Sequence, residues 1–375
     1  MKIMLVSRSW PAYEKSGVSL AAQKHANILI AAGHELYIVG SNPLIAQEST
    51  PAAGKFYVPS SGSSALYAPA KLDRQLFQQL ISKTQPDLVI LEAWQTGLTE
   101  GALKIAHQMH IPILMISHGI SIHPYSNTLR NWLRYLAWLP YQYLCLRSQI
   151  EKLTAITALD LSVKSPRFYD RDLAQSLHKP VYPLTNAPAL KVASNKTRAE
   201  RKNQILNVGY FSEVKNQLRA LTILKTLPNS ISMLLVGKKE GSYYQACEQY
   251  VVQNQLEQRV AFREDHQVDL AMEFSQSMIL LQTSITEALP ITLLEAMASG
   301  TPFVATPVGA AISLQGGLHA KTFSEQVLAV EQMFGDERLW KELSTEGKSA
   351  FEQHFTDAKV REQLCRAVEN TMTLA

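Results

Sequence analysis

The amino-acid sequence predicts an α/β protein made of two doubly wound domains in series, facing each other across a cleft. Three observations predict it. The chain has 375 residues, too many for one ordinary core. Short apolar runs alternate with helical-period segments through its first half. A polar stretch then interrupts the alternation, which restarts beyond it.

The first strand is predicted at residues 3–7, and residues 17–32 follow with helical spacing through Leu20, Ala21, Ala26 and Leu29. Gly33 ends that helix. A strand at 35–40, a helix at 72–84, a strand at 87–92, a helix at 99–109 and a strand at 113–117 continue the pattern. Such alternation builds a parallel sheet with helices on both faces, and ligands collect at the carboxyl ends of its strands. The polar stretch at 189–203 reads as a linker between a first domain (1–188) and a second (204–356). Within the second, strands are predicted at 205–208, 232–236, 260–262, 278–281 and 303–306, with helices at 216–227, 243–254 and 291–298. A last helix, with Val360, Leu364, Ala367 and Val368 on one face, occupies the tail at 357–375.

Composition narrows the function. Hydrophobic residues make up 46% and charged residues 18%, as in an ordered globular protein. A net charge of +4, scattered along the chain, argues against a nucleic-acid partner. Cys145, Cys247 and Cys365 are odd in number and far apart, which suits neither a disulfide framework nor a metal cluster and suggests a reducing compartment. The first apolar run is broken by Arg8 and is too short for a secretion signal, and no run is long enough to span a bilayer, so a cytoplasmic location is expected.

The densest chemistry lies between Thr286 and Gly300. Pro290 suits the first turn of a helix, and Gly300 then Pro302 stop it. The amides of Ile291, Thr292 and Leu293 would point out of the helix start, where the dipole favours a phosphate. Glu287 precedes that anion site and Glu295 sits about a turn inside, both placed to accept hydrogen bonds from hydroxyls of a sugar and a ribose. The alternative is a plain amphipathic helix with Glu295 in solvent.

Glu287, seven intervening residues, Glu295 and then Ala296-Met297-Ala298-Ser299-Gly300-Thr301-Pro302 resemble the donor signature of retaining glycosyltransferases of glycosyltransferase family 4, which have the two-domain GT-B fold of Rossmann-like domains. Further landmarks fall in order along nearly the whole chain: Gly33-His34, Pro86-Asp87-Leu88-Val89, Ser117-His118-Gly119, Val208-Gly209 leading to Lys215-Asn216, and Leu235-Val236-Gly237. The resemblance implies that Glu287 contacts donor-sugar hydroxyls, Glu295 the ribose, and Lys215 the diphosphate, with Ala288 and Leu289 lining the loop between. It places His118 beside the donor sugar, Gly17 at a phosphate and Arg263 near the base, where it could stack or serve only as a rim charge. His118, Glu287 and Lys215 would carry the reaction, without a metal ion, a bound cofactor or a protein nucleophile. Attack would come from the front face, the leaving phosphate taking the acceptor proton.

Two positions depart from the family. Tyr210 stands where relatives carry an arginine that grips the diphosphate, and Ser16 replaces the first of two glycines. Lys238, after Gly237, is expected to supply part of the missing charge. The implied donor is a UDP-sugar, UDP-glucose first, and the acceptor a polysaccharide or a lipid-linked glycan. A nucleotide-sugar 2-epimerase and a catalytically silent sugar-nucleotide-binding subunit are the alternatives.

Two other stretches carry expectations. Asp170-Arg171-Asp172 lacks a preceding buried strand and reads as a solvated loop rather than a metal site. Residues 130–144, aromatic, basic and apolar, read as a buried helix at a domain edge, with a membrane surface or a lipid-linked acceptor as the alternative contact.

Overall fold

The computed structural model describes residues 1–14, 16–65, 67–124, 128–188 and 196–374. In chain order the strands are β1 (Lys2–Ser7), β2 (Glu35–Gly40), β3 (Gly54–Tyr57), β4 (Ser60–Ser61), β5 (Lys71–Leu72), β6 (Leu88–Glu92), β7 (Ile113–Ile116), β8 (Ala155–Ala158) and β9 (Val181–Pro183). They continue with β10 (Lys202–Val208), β11 (Ser232–Val236), β12 (Val260–Arg263), β13 (Ser277–Gln282), β14 (Phe303–Ala305) and β15 (Gly317–His319). The helices are α1 (Gly17–Ala31), α2 (Arg74–Thr84), α3 (Gly97–Gln108), α4 (Leu129–Pro140), α5 (Leu146–Glu151), α6 (Tyr169–Ser176) and α7 (Gln217–Thr226). Then come α8 (Gly241–Gln253), α9 (Leu270–Gln276), α10 (Ile291–Ala298), α11 (Phe323–Gly335), α12 (Glu337–His354) and α13 (Asp357–Thr373).

Two compact units divide the chain: Met1–Asn186 with Asp357–Ala375, and Ala187–Thr356. The first unit's main sheet runs β3-β2-β1-β6-β7-β8-β9, every pair parallel. Its inner strands are mainly apolar because helices cover both faces; Met4, Val6, Val89 and Leu91 pack with Phe77 and Leu98 in one core. The chain leaves β1 toward β2 and β3, then returns to build on β1's other side from β6. That reversal opens a crevice at the carboxyl ends of β1 and β6, where the register sets Ser7 beside Glu92.

The second unit repeats the plan. Its sheet runs β12-β11-β10-β13-β14-β15, all parallel, with the reversal between β10 and β13. Ile205, Leu221, Leu235, Ile279, Val304 and Trp340 share its core. Both units are doubly wound Rossmann-like domains. The helix α13 belongs to the first unit, where Val360, Leu364 and Val368 are buried and the side chain of Gln363 accepts from the Thr185 amide at 2.9 Å.

Several elements differ from the sequence reading. Strand β10 begins at Lys202, inside the span read as linker, of which residues 189–195 lie outside the described residues. The cause is Arg201: its buried guanidinium donates to the carbonyls of Phe274, Ser277, Ser299 and Gly300 and to the Thr301 hydroxyl, pinning the strand's start. Asp170-Arg171-Asp172 is no solvated loop; it lies in α6 with Asp170 and Arg171 buried. Asp170 accepts from Trp94 Nε1 at 2.8 Å and from Ser117 Oγ at 2.5 Å, partners distant in sequence and invisible to local pattern. Residues 130–144 are not a buried helix either. Asn131, Trp138, Tyr141 and Gln142 face inward, but Trp132, Leu133, Leu136, Tyr143 and Leu144 are exposed.

Candidate functional site

Both units gather their polar residues at the reversal of strand order. In the second unit, β10 ends at Val208 and the chain turns through Gly209 and Tyr210 to Lys215 before α7. The turn is tied down from within: Gln217 Nε2 donates to the carbonyls of Gly209 and Tyr210, and Ser212 Oγ accepts from the Lys215 amide. Asn216 takes a left-handed backbone, φ 56°, at the start of α7. On the neighbouring strand, β13 runs into Thr283, whose hydroxyl donates to the carbonyls of Lys215 and Asn216. The Ile285 amide donates to Val214 O at 2.8 Å. Two loops from adjacent strand ends are thus laced into one wall.

On that wall Lys215 Nζ donates to Glu287 Oε1 at 2.6 Å, with both side chains mostly covered. The same ammonium lies 5.8 Å from the ring centre of Tyr210. The structure therefore brings Lys215 and Glu287 together, and adds Tyr210 as a cation–π neighbour. The Glu287–Ala288 segment is held from behind by Gly309, which the sequence reading missed. Gly309 has φ +55°, and a Cβ there would stand 2.1 Å from Glu287 O, while the next amide, Ala310, donates to Ala288 O at 2.7 Å. Only glycine fits so close an approach. Its one sequence signal was a glycine between Val308 and Ala310 after a strand end.

The wall continues into α10. Pro290 precedes the helix and no side chain caps it, so the amides of Ile291 and Thr292 have no acceptor among the described residues. The Leu293 amide, expected to be free as well, instead donates to Pro290 O at 3.1 Å in a tightened first turn. Ala288 and Leu289 are buried beneath this start. At the helix's other end, Arg201 supplies a cation to the carbonyls of Ser299 and Gly300, where the dipole is negative. One end of α10 is satisfied and the other is open. Gln282, buried with both amide atoms unpartnered, lines a small cavity with Lys215 and Thr292 just behind that opening.

Glu295 lies one turn inside α10 and has no hydrogen-bond or ion-pair partner among the described residues. Its residue surface is only half-buried, yet the protein crowding the carboxyl is dense enough that burial pushes the group up to about 8. Lys238 and Arg263 are at the edge of this arrangement. Lys238 is exposed and pairs with Glu240 at 2.6 Å, and Arg263 is exposed with a donor turned to the carbonyl of Phe262. Their backbones meet at Gly237, whose amide donates to Arg263 O and whose absent Cβ leaves room for Gly209 O.

In the first unit, Ser16 caps α1 through a reciprocal pair of bonds with Ser19, and Gly17 opens the helix with an exposed backbone. His118 follows β7. Its Nε2 lies 2.7 Å from Glu92 Oε2, while Nδ1 of His25, on α1, lies 2.7 Å from Glu92 Oε1. The two rings stack at 6.4 Å. Glu92 is fully buried. Burial alone would raise its pKa, but the attraction of His25 and the hydrogen bonds from both imidazoles outweigh it and bring the carboxyl down to about 2. A carboxylate only accepts, so the proton sits on Nδ1 of His25 and on Nε2 of His118. Glu92 and His25 were not singled out from the sequence; an acidic residue closing the apolar strand β6 was the available signal.

Residues 191–321 match the family described as glycosyl transferases group 1. No curated protein matches the chain. Among solved structures, sucrose-phosphate synthase from Thermosynechococcus elongatus is similar with a TM-score of 0.76 and 16% identity, covering 100% of each chain. HepE of Anabaena, in complex with UDP-glucose, gives 0.70 at 16% identity, covering 99% of this chain and 100% of that one. A glycosyltransferase from Rickettsia africae gives 0.73 at 16%, covering 100% and 98%. The shared fold is the GT-B architecture, and the matched segment spans β10 to the end of β15, including the whole Lys215–Glu287–α10 wall. The second unit thus resembles group 1 glycosyl transferases in sequence, and the chain shares its fold with the solved structures.

Proposed function

We propose that this protein is a retaining enzyme of glycosyltransferase family 4 that moves glucose from UDP-glucose to a polysaccharide or lipid-linked glycan acceptor and needs no metal ion. The observation that carries the proposal is the Lys215–Glu287 pair at 2.6 Å, set against the uncapped start of α10 with the unpartnered Glu295 one turn behind. A cation and two free amides answer a diphosphate; two carboxylates answer hydroxyls on either side of it. The UDP-glucose complex of HepE, a protein of the same fold, supports the choice of donor.

In this reading Lys215 and the amides of Ile291 and Thr292 hold the diphosphate, Glu295 the ribose, and Glu287 the sugar. Ala288, Leu289 and Leu293 shape the loop and helix start. Arg263 lies toward the base, Lys238 adds charge at the rim, and Gly17 and His118 serve from the first unit. As the bond from the anomeric carbon to the phosphate oxygen breaks, its electron pair passes to the diphosphate. The acceptor hydroxyl bonds to the same face of that carbon, and its proton goes to the leaving phosphate oxygen. Lys215 and the helix dipole stabilise the charge that develops there.

A thermal-shift screen across nucleoside diphosphates, then UDP release from UDP-glucose in the presence of a chelator, tests the proposal. Stabilisation by UDP and release with retained anomeric configuration, read by NMR, are expected. No response to any nucleotide would sink it. A silent binding subunit has its own supporting observation, since Tyr210 is 61% exposed where relatives carry the arginine. That reading requires UDP binding with no release under any acceptor, and an epimerase would instead yield free nucleotide sugar without one.

A further inference from the structure

The feature that the proposed function leaves unused is the outer face of α4 and its continuation. Leu129, Trp132, Leu133 and Leu136 follow i, i+3, i+4, i+7 spacing along α4, and Tyr143 and Leu144 extend the line beyond Pro140. All six are exposed, Leu129 to 75% and Leu144 to 73%. Pro140 has no amide to donate, and the chain passes it in a wide turn, Tyr141–Cys145, without ending the helical path into α5. The stripe therefore stays on one side for about 24 Å. Its back is firmly seated: Trp138 and Tyr141 are buried, and Arg134 donates to the carbonyls of Ser121, Ile122 and His123. An apolar strip of this length on a rigid helix is more than scattered surface leucines.

The charge around it selects what covers it. No aspartate or glutamate occurs between Glu100 and Glu151, a gap that contains the whole stripe. Arg130 flanks one end without a partner among the described residues, and Arg147 flanks the other, paired at its far side with Glu151 at 3.1 Å. Exposed Lys164 lines a cavity of about 560 Å³ together with Gln142, whose buried Oε1 lacks a partner, and with Arg171 and Asp172, which pair with each other at 2.7 Å and leave Lys164 as the cation in excess. Trp132 and Tyr143 carry a polar edge on an apolar body, the residue types that settle at a bilayer's headgroup level. A second copy packed antiparallel on the stripe would bring Arg130 against Arg147, whereas a negatively charged lipid surface attracts both.

We infer that the α4 stripe is a docking surface for an anionic lipid bilayer, with Leu129, Trp132, Leu133, Leu136, Tyr143 and Leu144 entering the headgroup layer and Arg130 and Arg147 facing lipid phosphates. The protein would lie on the membrane, and among the described residues no helix is long and apolar enough to cross it.

Flotation of the full chain with phosphatidylcholine vesicles, with and without phosphatidylglycerol, tests this without using any enzymatic readout. Binding to the phosphatidylglycerol vesicles, weakened by salt, is expected. The double variant Leu133→Asp, Leu136→Asp should bind at least about tenfold more weakly, because two apolar contacts are lost and two like charges added. Both side chains are exposed, so its melting curve should match the parent. Arg130→Glu should weaken only the anionic component. Equal flotation with phosphatidylcholine alone, or unchanged binding by the double variant, overturns the assignment. So does a dimer in light scattering that the same double variant dissociates, since a second copy would then cover the face.

Discussion

At the reversal of the first sheet Glu92 is fully buried and both its oxygens accept hydrogen bonds from imidazoles, whereas at the reversal of the second the half-buried Glu295 meets no partner among the described residues. The physical outcomes diverge accordingly: one carboxyl is brought down to about 2, the other is pushed up to about 8. A satisfied buried charge fixes geometry; an unsatisfied one waits for a ligand. The first unit's cluster thus acts on His118 by orientation, while in the second unit Glu295 and the first amides of α10 present groups whose partners must come from outside. If this contrast is right, variants in the two units should fail differently.

The largest effect is expected at the open wall. Glu287→Ala removes the partner of Lys215 and the carboxylate proposed to accept from the donor sugar, and should lower turnover by about 10²–10³ in UDP release. Nucleotide affinity should hold or improve, because Lys215 is freed for the diphosphate. Loss of nucleotide binding with intact turnover per bound donor would reverse the assigned roles.

Next is the closed cluster. Glu92→Gln leaves two imidazoles facing an amide that can accept from only one of them, and breaking a buried pair of this kind costs about 3–5 kcal/mol. The variant should melt lower and, on the role proposed for His118, lose turnover, yet bind UDP nearly as the parent does, since the residues proposed to hold the nucleotide, Gly17 apart, lie in the second unit. The pH dependence has a definite sign. Glu92's folded value, about 2, lies below the ordinary 4.5, so its contribution is complete above 4.5 and fades as pH falls toward 2. The gap in melting temperature between parent and variant should therefore narrow in acid. A constant gap down to pH 3 would show that the carboxylate is not the stabilising species.

How much of this contrast was legible in the sequence follows from the range of the interactions. Strand–helix alternation and the helix signals at Pro290 and Gly300 are local, and they led directly to two parallel sheets and to α10. Glu287, Glu295 and Lys215 stood out because strand ends and a helix start gave them a place. Glu92 did not, since its partners lie 67 and 26 residues away and a buried glutamate looks like any other until the imidazoles are seen. Gly309 was hidden for the same reason: its tight neighbour, Glu287 O, comes from another loop. The face of α4 was misjudged because periodicity shows that a helix has an apolar side, not whether anything covers it.

Gly309 offers a gentler break of the open wall. Gly309→Ala puts a Cβ against Glu287 O at a backbone angle that disfavours it, at a cost of about 1–3 kcal/mol. Turnover should fall about tenfold through displacement of Glu287, while UDP affinity changes little. Equal losses in both would mean that the loop moves as one body with α10.

Glu295 sharpens the comparison through pH. A ribose hydroxyl donates better to the ionised carboxyl, so UDP affinity should rise as pH climbs through about 8, and Glu295→Gln should abolish that rise. Stability runs the other way: the unfolded group ionises near 4.5 but the folded one only near 8, so the parent loses stability between those values and the variant does not. A flat affinity profile from pH 7 to 9 would place the ribose elsewhere.

The smallest effect concerns the charge that Tyr210 does not supply. Lys238 is exposed and paired with Glu240, and so solvated a pair contributes little. To reach a diphosphate it must leave Glu240, so the two variants should move nucleotide affinity in opposite directions. Lys238→Ala should weaken UDP binding by no more than about fivefold, and Glu240→Ala should strengthen it by a similar factor. If neither moves the affinity, Lys215 and the open amides of α10 carry the diphosphate alone, and the contrast between a closed and an open reversal becomes steeper. A loss far beyond fivefold in Lys238→Ala would instead mean that Lys238 abandons Glu240 completely on binding, making the rim part of the wall.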